Sequence, residues 1–559
     1  MPKKCSQCKK EFEVTDQDRR LGEQFAVPER TCCFECTQKQ LLCRRNTRTL
    51  YARKCDSTGE DMISIYPADS PFKVYKSDIW YSDKWSPFDF GRDIDFSRPF
   101  FEQFDELQRA VPWLGLLNMQ AVDSDYCNNT YGNTRCYLIF GGDHNTDCMY
   151  GELGMRNKDT LDCDLGNDNE LCYEVMSSFN CYSSRFVYDS KNCNDCAYVI
   201  DCASCSDCIL CTNLKNKQYC IENMQYGRDE YFERKKQLLS GSYEQQRKNS
   251  QRFLELRGDR IVKYAHLITC EDSTGDYLKS CKASANTFDG SESENMKDII
   301  FTSLGRDCFY SSMIGDKSEL VYNSISTYNV FRALFSHFIV DSSDVEYSCL
   351  VMNSKNIFGC AAMNRGEYCI LNKQYTPDEF HAMRARLIEH MKKTGEWGEF
   401  FPPSLSQYGY NETVAYQYFP LSKEEALSQG FRWQDNLPGT RGKETVAPGL
   451  IPDMVDDAPD SFSKEILACA DCGKNYRILS QELAFYKKIQ EALPRRCPDC
   501  RYVARLKIRN PHELWHRQCM CDQSGHEHVD RCTIEFETSY APNRSERVYC
   551  EACYQKEVI

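Results

Sequence analysis

The sequence predicts a mainly β chain: a central parallel β-solenoid in two duplicated lobes with helical caps, flanked at each end by a small module built on paired cysteines. Three observations predict it. Cys-x-x-Cys pairs stand at equal spacing near both ends, small residues recur every 12 positions between them, and one polar-aromatic string returns 149 residues later. At 559 residues the chain is long enough for several cores. Its 41% hydrophobic and 27% charged residues exclude a disordered tail. No apolar stretch approaches the roughly 20 residues of a membrane-spanning helix. Met-Pro-Lys-Lys-Cys opens the chain without an export signal, so a cytoplasmic location is expected. The 35 cysteines are then expected to be free thiols and metal ligands rather than disulfides.

The end modules come first. Cys5-x-x-Cys8 and Cys33-x-x-Cys36 enclose 24 residues, and so do Cys469-x-x-Cys472 and Cys497-x-x-Cys500. A shift of 464 positions also overlays Phe12 on Tyr476, Val14 on Ile478, Arg45-Asn46 on Arg509-Asn510 and Cys55 on Cys519. Two Cys-x-x-Cys turns complete a tetrahedral sulfur site with bonds of about 2.3 Å, which suits zinc in a reducing compartment. Cys32 competes with Cys33 for the amino-terminal site. A second carboxy-terminal site is expected on Cys521, Cys532, Cys550 and Cys553, with Cys519, His526 and His528 as alternates. Its amino-terminal counterpart has lost its ligands. With a ten-residue gap, Lys76 and Ile79 fall where Cys550 and Cys553 stand. Two to three zinc ions are therefore expected.

Each module trails a basic segment. Residues 1–55 and 469–519 each carry a net charge of +6 in a chain of -14. Arg45 and Arg48 in one and Arg505 and Arg509 in the other are candidate phosphate contacts for nucleic acid. Equally, they can pair with the acidic middle of the same chain.

Between the modules the 12-residue period runs through Cys136, Cys148, Thr160, Cys172, Ser184, Cys196, Cys208 and Cys220. Short apolar runs separated by Asn, Asp, Ser and Gly read as stacked short strands. Twelve residues are read as half a coil, because a full coil of that size leaves almost no interior. Cys202, Cys205, Cys208 and Cys211 are expected to pack inside, a soft metal or cluster being the alternative reading. Residues 219–230 and 368–379 then match: Tyr219 with Tyr368, Cys220 with Cys369, Asn223 with Asn372, Gln225-Tyr226 with Gln374-Tyr375. Each copy hands over to a charged helix expected to cover the open end of its lobe. Runs in the second lobe, Cys308–Tyr310 among them, are less regular.

The boundaries follow: a module over 1–80, an aromatic strap over 81–120, the first lobe over 121–226, a helical insert over 227–260, the second lobe over 261–375, a capping helix over 376–395, an extended arm over 396–468 and the last module over 469–559. The strap is expected to pack the first module onto the solenoid.

The run Cys469-x-x-Cys472-Gly-Lys, with Glu482, Phe485-Tyr486 and Pro494-Arg-Arg-Cys497-Pro-x-Cys500-Arg, resembles the bacterial "probable zinc-binding domain" family. The amino-terminal copy departs from it in lacking the proline after Cys33. The strings at Asn372–Tyr375 and Gly91–Phe104 resemble those of large cysteine-rich proteins of uncultured, very small bacteria. That resemblance implies the layout and no activity. No His-Glu-x-x-His, phosphate loop or Gly-x-Ser-x-Gly elbow is present. The function expected is a non-enzymatic zinc-binding scaffold with a protein partner and no membrane. A nucleic-acid- or ribosome-associated zinc protein is the alternative, and carbohydrate chemistry near Asp143, Asp162 or Asp189 is the remote one.

Overall fold

Residues 137–221 lay down short strands that pair side by side in chain order: Tyr137–Phe140, Met149–Glu152, Leu161–Asp164, Tyr173–Met176, Arg185–Tyr188, Ala197–Ile200, Ser206–Thr212 and Gln218–Ile221. All eight run parallel, and the register steps by 12: Met149 faces Leu161, then Tyr173, Arg185, Ala197 and Ile209. The structure is a computed structural model that describes residues 2–302, 312–315, 319–523, 525–526, 528 and 530–558.

Twelve residues are a whole rung, which corrects the half-coil reading. Pairing columns stand three residues apart, with Lys158 facing Glu170, Leu161 facing Tyr173, Asp164 facing Met176 and Asn167 facing Phe179. Between them the backbone turns through the left-handed region at every third residue, as at Asp159, Asp162, Leu165 and Asp168 (φ 50 to 58°). Asp and Asn tolerate that region best, which explains the turn-rich composition. A rung thus has four short sides and sends one small side chain inward from each. Cys196, Val199, Cys202 and Cys205 are one such set, none more than 1% exposed. The interior exists because its residues are small.

Buried polar side chains complete the rungs. Asn133, Asn145, Asn157 and Asn169 stack, each accepting from the backbone N–H of the residue 12 positions on at 2.8–3.0 Å. Their amides donate to the carbonyls of Gly142, Gly154, Gly166 and Ser178. Such a ladder satisfies groups whose burial would otherwise cost about 1–3 kcal/mol each.

A second run of parallel strands occupies residues 275–370 and keeps the 12-residue step over Ile325, His337, Cys349 and Ala361. It slips to 11 between Leu267 and Leu278 and to 13 between Ser312 and Ile325. Cys308–Tyr310 lies outside the described residues. Both ladders end alike. Asn223 accepts from Thr212 N and donates to Thr212 O (2.9 and 3.0 Å), and Asn372 does the same with Ala361 (3.0 and 2.9 Å). In each, an antiparallel turn then folds over the last rung, pairing Cys220 with Gln225 and Cys369 with Gln374. The shared string is the stop that closes an edge otherwise open to further strands.

The molecule as a whole is mixed α/β rather than mainly β. Helices Arg228–Leu238, Tyr243–Asp259 and Pro377–Thr394 follow the two ladders, and the end modules add Asp16–Phe25, Phe34–Leu42, Ser480–Ile489, Pro498–Leu506 and Glu551–Val558. Cysteine spacing conceals these module helices in the sequence, since each is only a few turns long. Pro377–Thr394 begins as its residues dictate, with a reciprocal cap between Thr376 and Glu379 and proline in the first turn. Tyr243–Asp259 lies along the flank of the first ladder, with Phe253 against Tyr188 and Tyr198, rather than over its end.

Segment 81–120 does not simply strap the first module to its own ladder. Its helix Phe100–Ala110 reaches the second ladder, where Phe100 meets Tyr347 and Phe358 edge-on. Glu396 caps that helix, accepting from Phe100 N and Phe101 N at 2.9 and 2.7 Å. The arm that follows runs back along the protein and buries Phe401, Tyr410, Val414 and Phe431 in the main core.

Candidate metal centres

Among the described residues, four sets of ligand atoms that include cysteine converge, each with all atoms within 4.8 Å of one another: Cys5, Cys8, Cys33 and Cys36; Cys469, Cys472, Cys497 and Cys500; Cys519, Cys532, Cys550 and Cys553; and Cys521, His526, His528 and Cys553. A tetrahedron of four 2.3 Å bonds has edges of about 3.8 Å. The Sγ atoms of Cys8 and Cys33, Cys472 and Cys497, and Cys532 and Cys550 stand 3.7, 3.8 and 3.9 Å apart. The residues present therefore fit zinc.

The first two sets are built alike. In each, a Cys-x-x-Cys turn is followed by a helix whose capping residue is the third ligand, Cys33 before Phe34–Leu42 and Cys497 before Pro498–Leu506. That third residue's N–H donates back to the first sulfur, Cys33 N to Cys5 at 3.4 Å and Cys497 N to Cys469 at 3.2 Å. Both features favour thiolate. Cys32 is not a ligand: its sulfur sits on Ser6 Oγ at 3.2 Å, and burial pushes its thiol up to about 11. Cys33 is held well down by hydrogen bonds, chiefly from Cys36.

The expected second carboxy-terminal set is corrected in one ligand. Cys519, not Cys521, completes the four-thiol group, because Cys550 N donates to Cys519 Sγ at 3.2 Å and draws the hairpin end in. Cys521 turns instead toward His526, with Sγ to Nδ1 at 3.1 Å.

The interior thiols Cys202, Cys205, Cys208 and Cys211 form none of these sets. Each donates to the carbonyl two residues before it, at 3.2–3.5 Å. Burial pushes Cys172, in the same interior, up to about 12. Every described cysteine is a free thiol.

The four candidate phosphate contacts are all turned inward. Arg505, 1% exposed at its side chain, meets Asp162, Asp164 and Glu174 of the first ladder at 2.9, 2.6 and 3.1 Å. Arg509 is bidentate on Asp289 of the second ladder. Arg48 meets Glu152 at 3.1 Å, and Arg45 donates to Ser326 at 2.6 Å. None of them is turned to solvent, so the nucleic-acid assignment of these four residues is corrected: acids of the ladders hold Arg48, Arg505 and Arg509, and a ladder hydroxyl holds Arg45. The acid positions weighed for carbohydrate chemistry are also engaged. Asp162 lies beneath Arg501 and Arg505, Asp143 accepts from Tyr131 N, and Asp189 faces Tyr277 and the His266 cluster.

Two clusters escape sequence reasoning. His337 and Cys349, one rung apart, touch through Nε2 and Sγ in the main core. Burial raises that thiol and lowers that imidazole, so both stay neutral rather than forming an activated thiolate. His266 bonds Asp276 at 2.9 Å between the first ladder, through Asp201, and the last module, through Ser539 on Asp276. Burial disfavours its charge, yet Asp276 prevails and raises His266 to about 9.

No protein-family model matches the chain, and no curated protein matches it. The clusters support zinc-binding modules of a general kind.

Proposed function

We propose that the protein is a non-enzymatic, zinc-stabilised scaffold in which two duplicated β-solenoid lobes are clamped between metal-bound end modules to present a rigid surface to a protein partner. One observation carries the reading. The basic segments at and behind the helices that follow the metal-ligand pairs make buried ion pairs with acids of both ladders. Metal folds each module, and the module's charge is then spent on holding the lobes. Asp18 of the first module pairs with Lys297 at 2.5 Å, and Glu482 at the matching position of the last accepts from Tyr150 at 2.7 Å. Each module therefore grips one ladder through its first half.

Each grips the other through its second half. Lys73–Tyr75 pairs with Pro112–Leu114 where the first ladder begins, and Arg547–Tyr549 pairs with Ile261–Lys263 where the second begins. The two junctions differ by the same 149 positions that relate the lobes. This crossed arrangement gives rigidity, which a scaffold needs and a mobile nucleic-acid arm does not.

The test is twofold. Elemental analysis of the purified chain should find zinc bound tightly, and Cys500→Ala should free the last module to proteolysis. Affinity isolation from the native host should recover protein partners that survive nuclease and rising salt. Recovery of RNA or DNA that falls steeply with salt would overturn the reading.

A further inference from the structure

Cys553 belongs to two ligand sets at once. The last hairpin and helix supply three thiols and two imidazoles beyond the pair Cys550 and Cys553. That makes seven ligands where two tetrahedral ions need eight, and one shared thiolate closes the difference. We propose that the last module holds a two-ion zinc cluster bridged by Cys553 Sγ. One ion sits on Cys519, Cys532, Cys550 and Cys553, the other on Cys521, His526, His528 and Cys553.

Geometry and orientation both point there. A mixed sulfur–nitrogen site with bonds of about 2.3 and 2.0 Å has S···N edges of about 3.5 Å. Cys553 Sγ stands 3.5 Å from His528 Nε2, and Cys521 Sγ stands 3.1 Å from His526 Nδ1. The far nitrogen of each ring is already held. His526 Nε2 faces Glu557 at 3.6 Å, and His528 Nδ1 donates to the Asp530 carbonyl. Ligating histidines are fixed in this way, because the outer partner selects the tautomer that leaves the inner nitrogen free. A spectator histidine needs no such arrangement twice over.

Charge argues the same way. Four thiolates around a single dication leave a net charge of about -2 in a mostly buried pocket, whereas five thiolates around two dications leave about -1. With one ion, Cys521 remains a buried thiol beside an imidazole and has no metal to satisfy it.

This inference rests on the zinc reading above, and its test separates the two. The full chain is exchanged with ¹¹³Cd²⁺ and examined by ¹¹³Cd NMR, and the zinc form is weighed by native mass spectrometry. Expected are four ions per chain, one for each set, and two resonances split by each other through the shared sulfur. One of that pair should lie at the four-sulfur position and the other upfield, where two nitrogens place it. His526→Ala with His528→Ala should remove the upfield line and the splitting, leaving three ions and the four-sulfur set. Three ions in the wild type, unsplit lines and no response to the histidine changes would overturn the bridge while leaving the other zinc sites standing. No bound metal at all would overturn the zinc reading itself. The splitting is read in the wild type, so a variant that fails to fold does not rescue the proposal.

Discussion

The two end modules are alike up to one hairpin and then diverge. Tyr51–Lys54 pairs with Asp61–Ser64 in the first, and Trp515–Gln518 pairs with Glu535–Thr538 in the last. The first hairpin closes through residues 55–60 and the last through 519–534, ten residues longer. The additional length carries Cys521, His526, His528 and Cys532. Both loops begin with a cysteine that accepts a backbone N–H, Cys55 from Lys76 at 3.4 Å and Cys519 from Cys550 at 3.2 Å. Beyond that, the second half of the first module has no metal set among the described residues. Lys76 pairs with Glu60 at 2.7 Å, and Ile79 and Trp80 are buried where the last module has Cys553 and its neighbour. One backbone frame thus has an apolar core in the first module and a candidate metal set in the last, where the longer loop and the Cys550 and Cys553 pair supply the ligands.

The comparison breaks most readily at the clamps. Arg505→Ala would leave Asp164 and Glu174 buried without their paired cation and Asp162 with Arg501 alone, a loss of about 3–5 kcal/mol. Arg45→Ala, at the position matching Arg509, removes only a bond to Ser326 and should cost about 1 kcal/mol. Equal losses in chemical denaturation would show that the clamps do not differ. Ile79→Ala should cost about 2–4 kcal/mol, and the loss should be unchanged by chelator. A chelator-dependent loss there would mean that the first module also relies on metal in its second half.

The acid partners differ in their response to pH. Burial raises Asp164 to about 6 and Glu174 to about 7, against Arg505. Ordinary values are about 3.9 and 4.3, so the folded state holds protons that the unfolded chain lacks. Their contribution is full below about pH 4 and is lost as pH rises through 6 to 7. Burial opposes ionisation of Asp289 as well, but Arg509 and His512 outweigh it and hold the carboxyl well below the usual range. That contribution is present above about pH 4 and is lost only as pH falls further. Amide exchange in Pro498–Leu506, which carries Arg501 and Arg505 and faces Arg48, Glu152, Asp162, Asp164 and Glu174, should therefore be slower at pH 5 than at pH 7.5, beyond the intrinsic rate change. The same protection at both values would contradict the assignment.

The smallest effect is expected inside the ladder. Cys208 donates to Ser206 O and Lys217 O, as the Ser184 hydroxyl does to Tyr182 O and Cys193 O. A hydroxyl at Cys208 would find acceptors already placed, so Cys208→Ser should cost under about 1 kcal/mol. Cys172, Cys196, Cys208 and Cys220 should resist thiol reagents until denaturant is added.

What was legible in the sequence was local. Candidate metal ligands sit on turns of fixed span, so equal 24-residue spacing exposes Cys5 to Cys36 and Cys469 to Cys500. Even the ten-residue gap is visible, although not that it falls inside one loop. The 12-residue period was visible too, but the finer period of three beneath it was obscured. Inward positions alternate among Cys, Ser, Val, Asn and Gly, which share size rather than chemistry. Neither the clamps nor the contact of Ser539 with Asp276 can be read from sequence, because each joins residues brought together only when modules meet ladders. The choice of Cys519 over Cys521 likewise depends on one backbone N–H across the hairpin.

The central claim is that metal in the last module holds the two lobes together, and amide hydrogen exchange of the whole chain before and after chelation tests it most directly. The account predicts loss of protection over 469–553 and at the junction strand Ile261–Lys263, with 51–80 and the rungs at 172–220 still protected. Unchanged protection over 469–553 after complete removal of metal would contradict it.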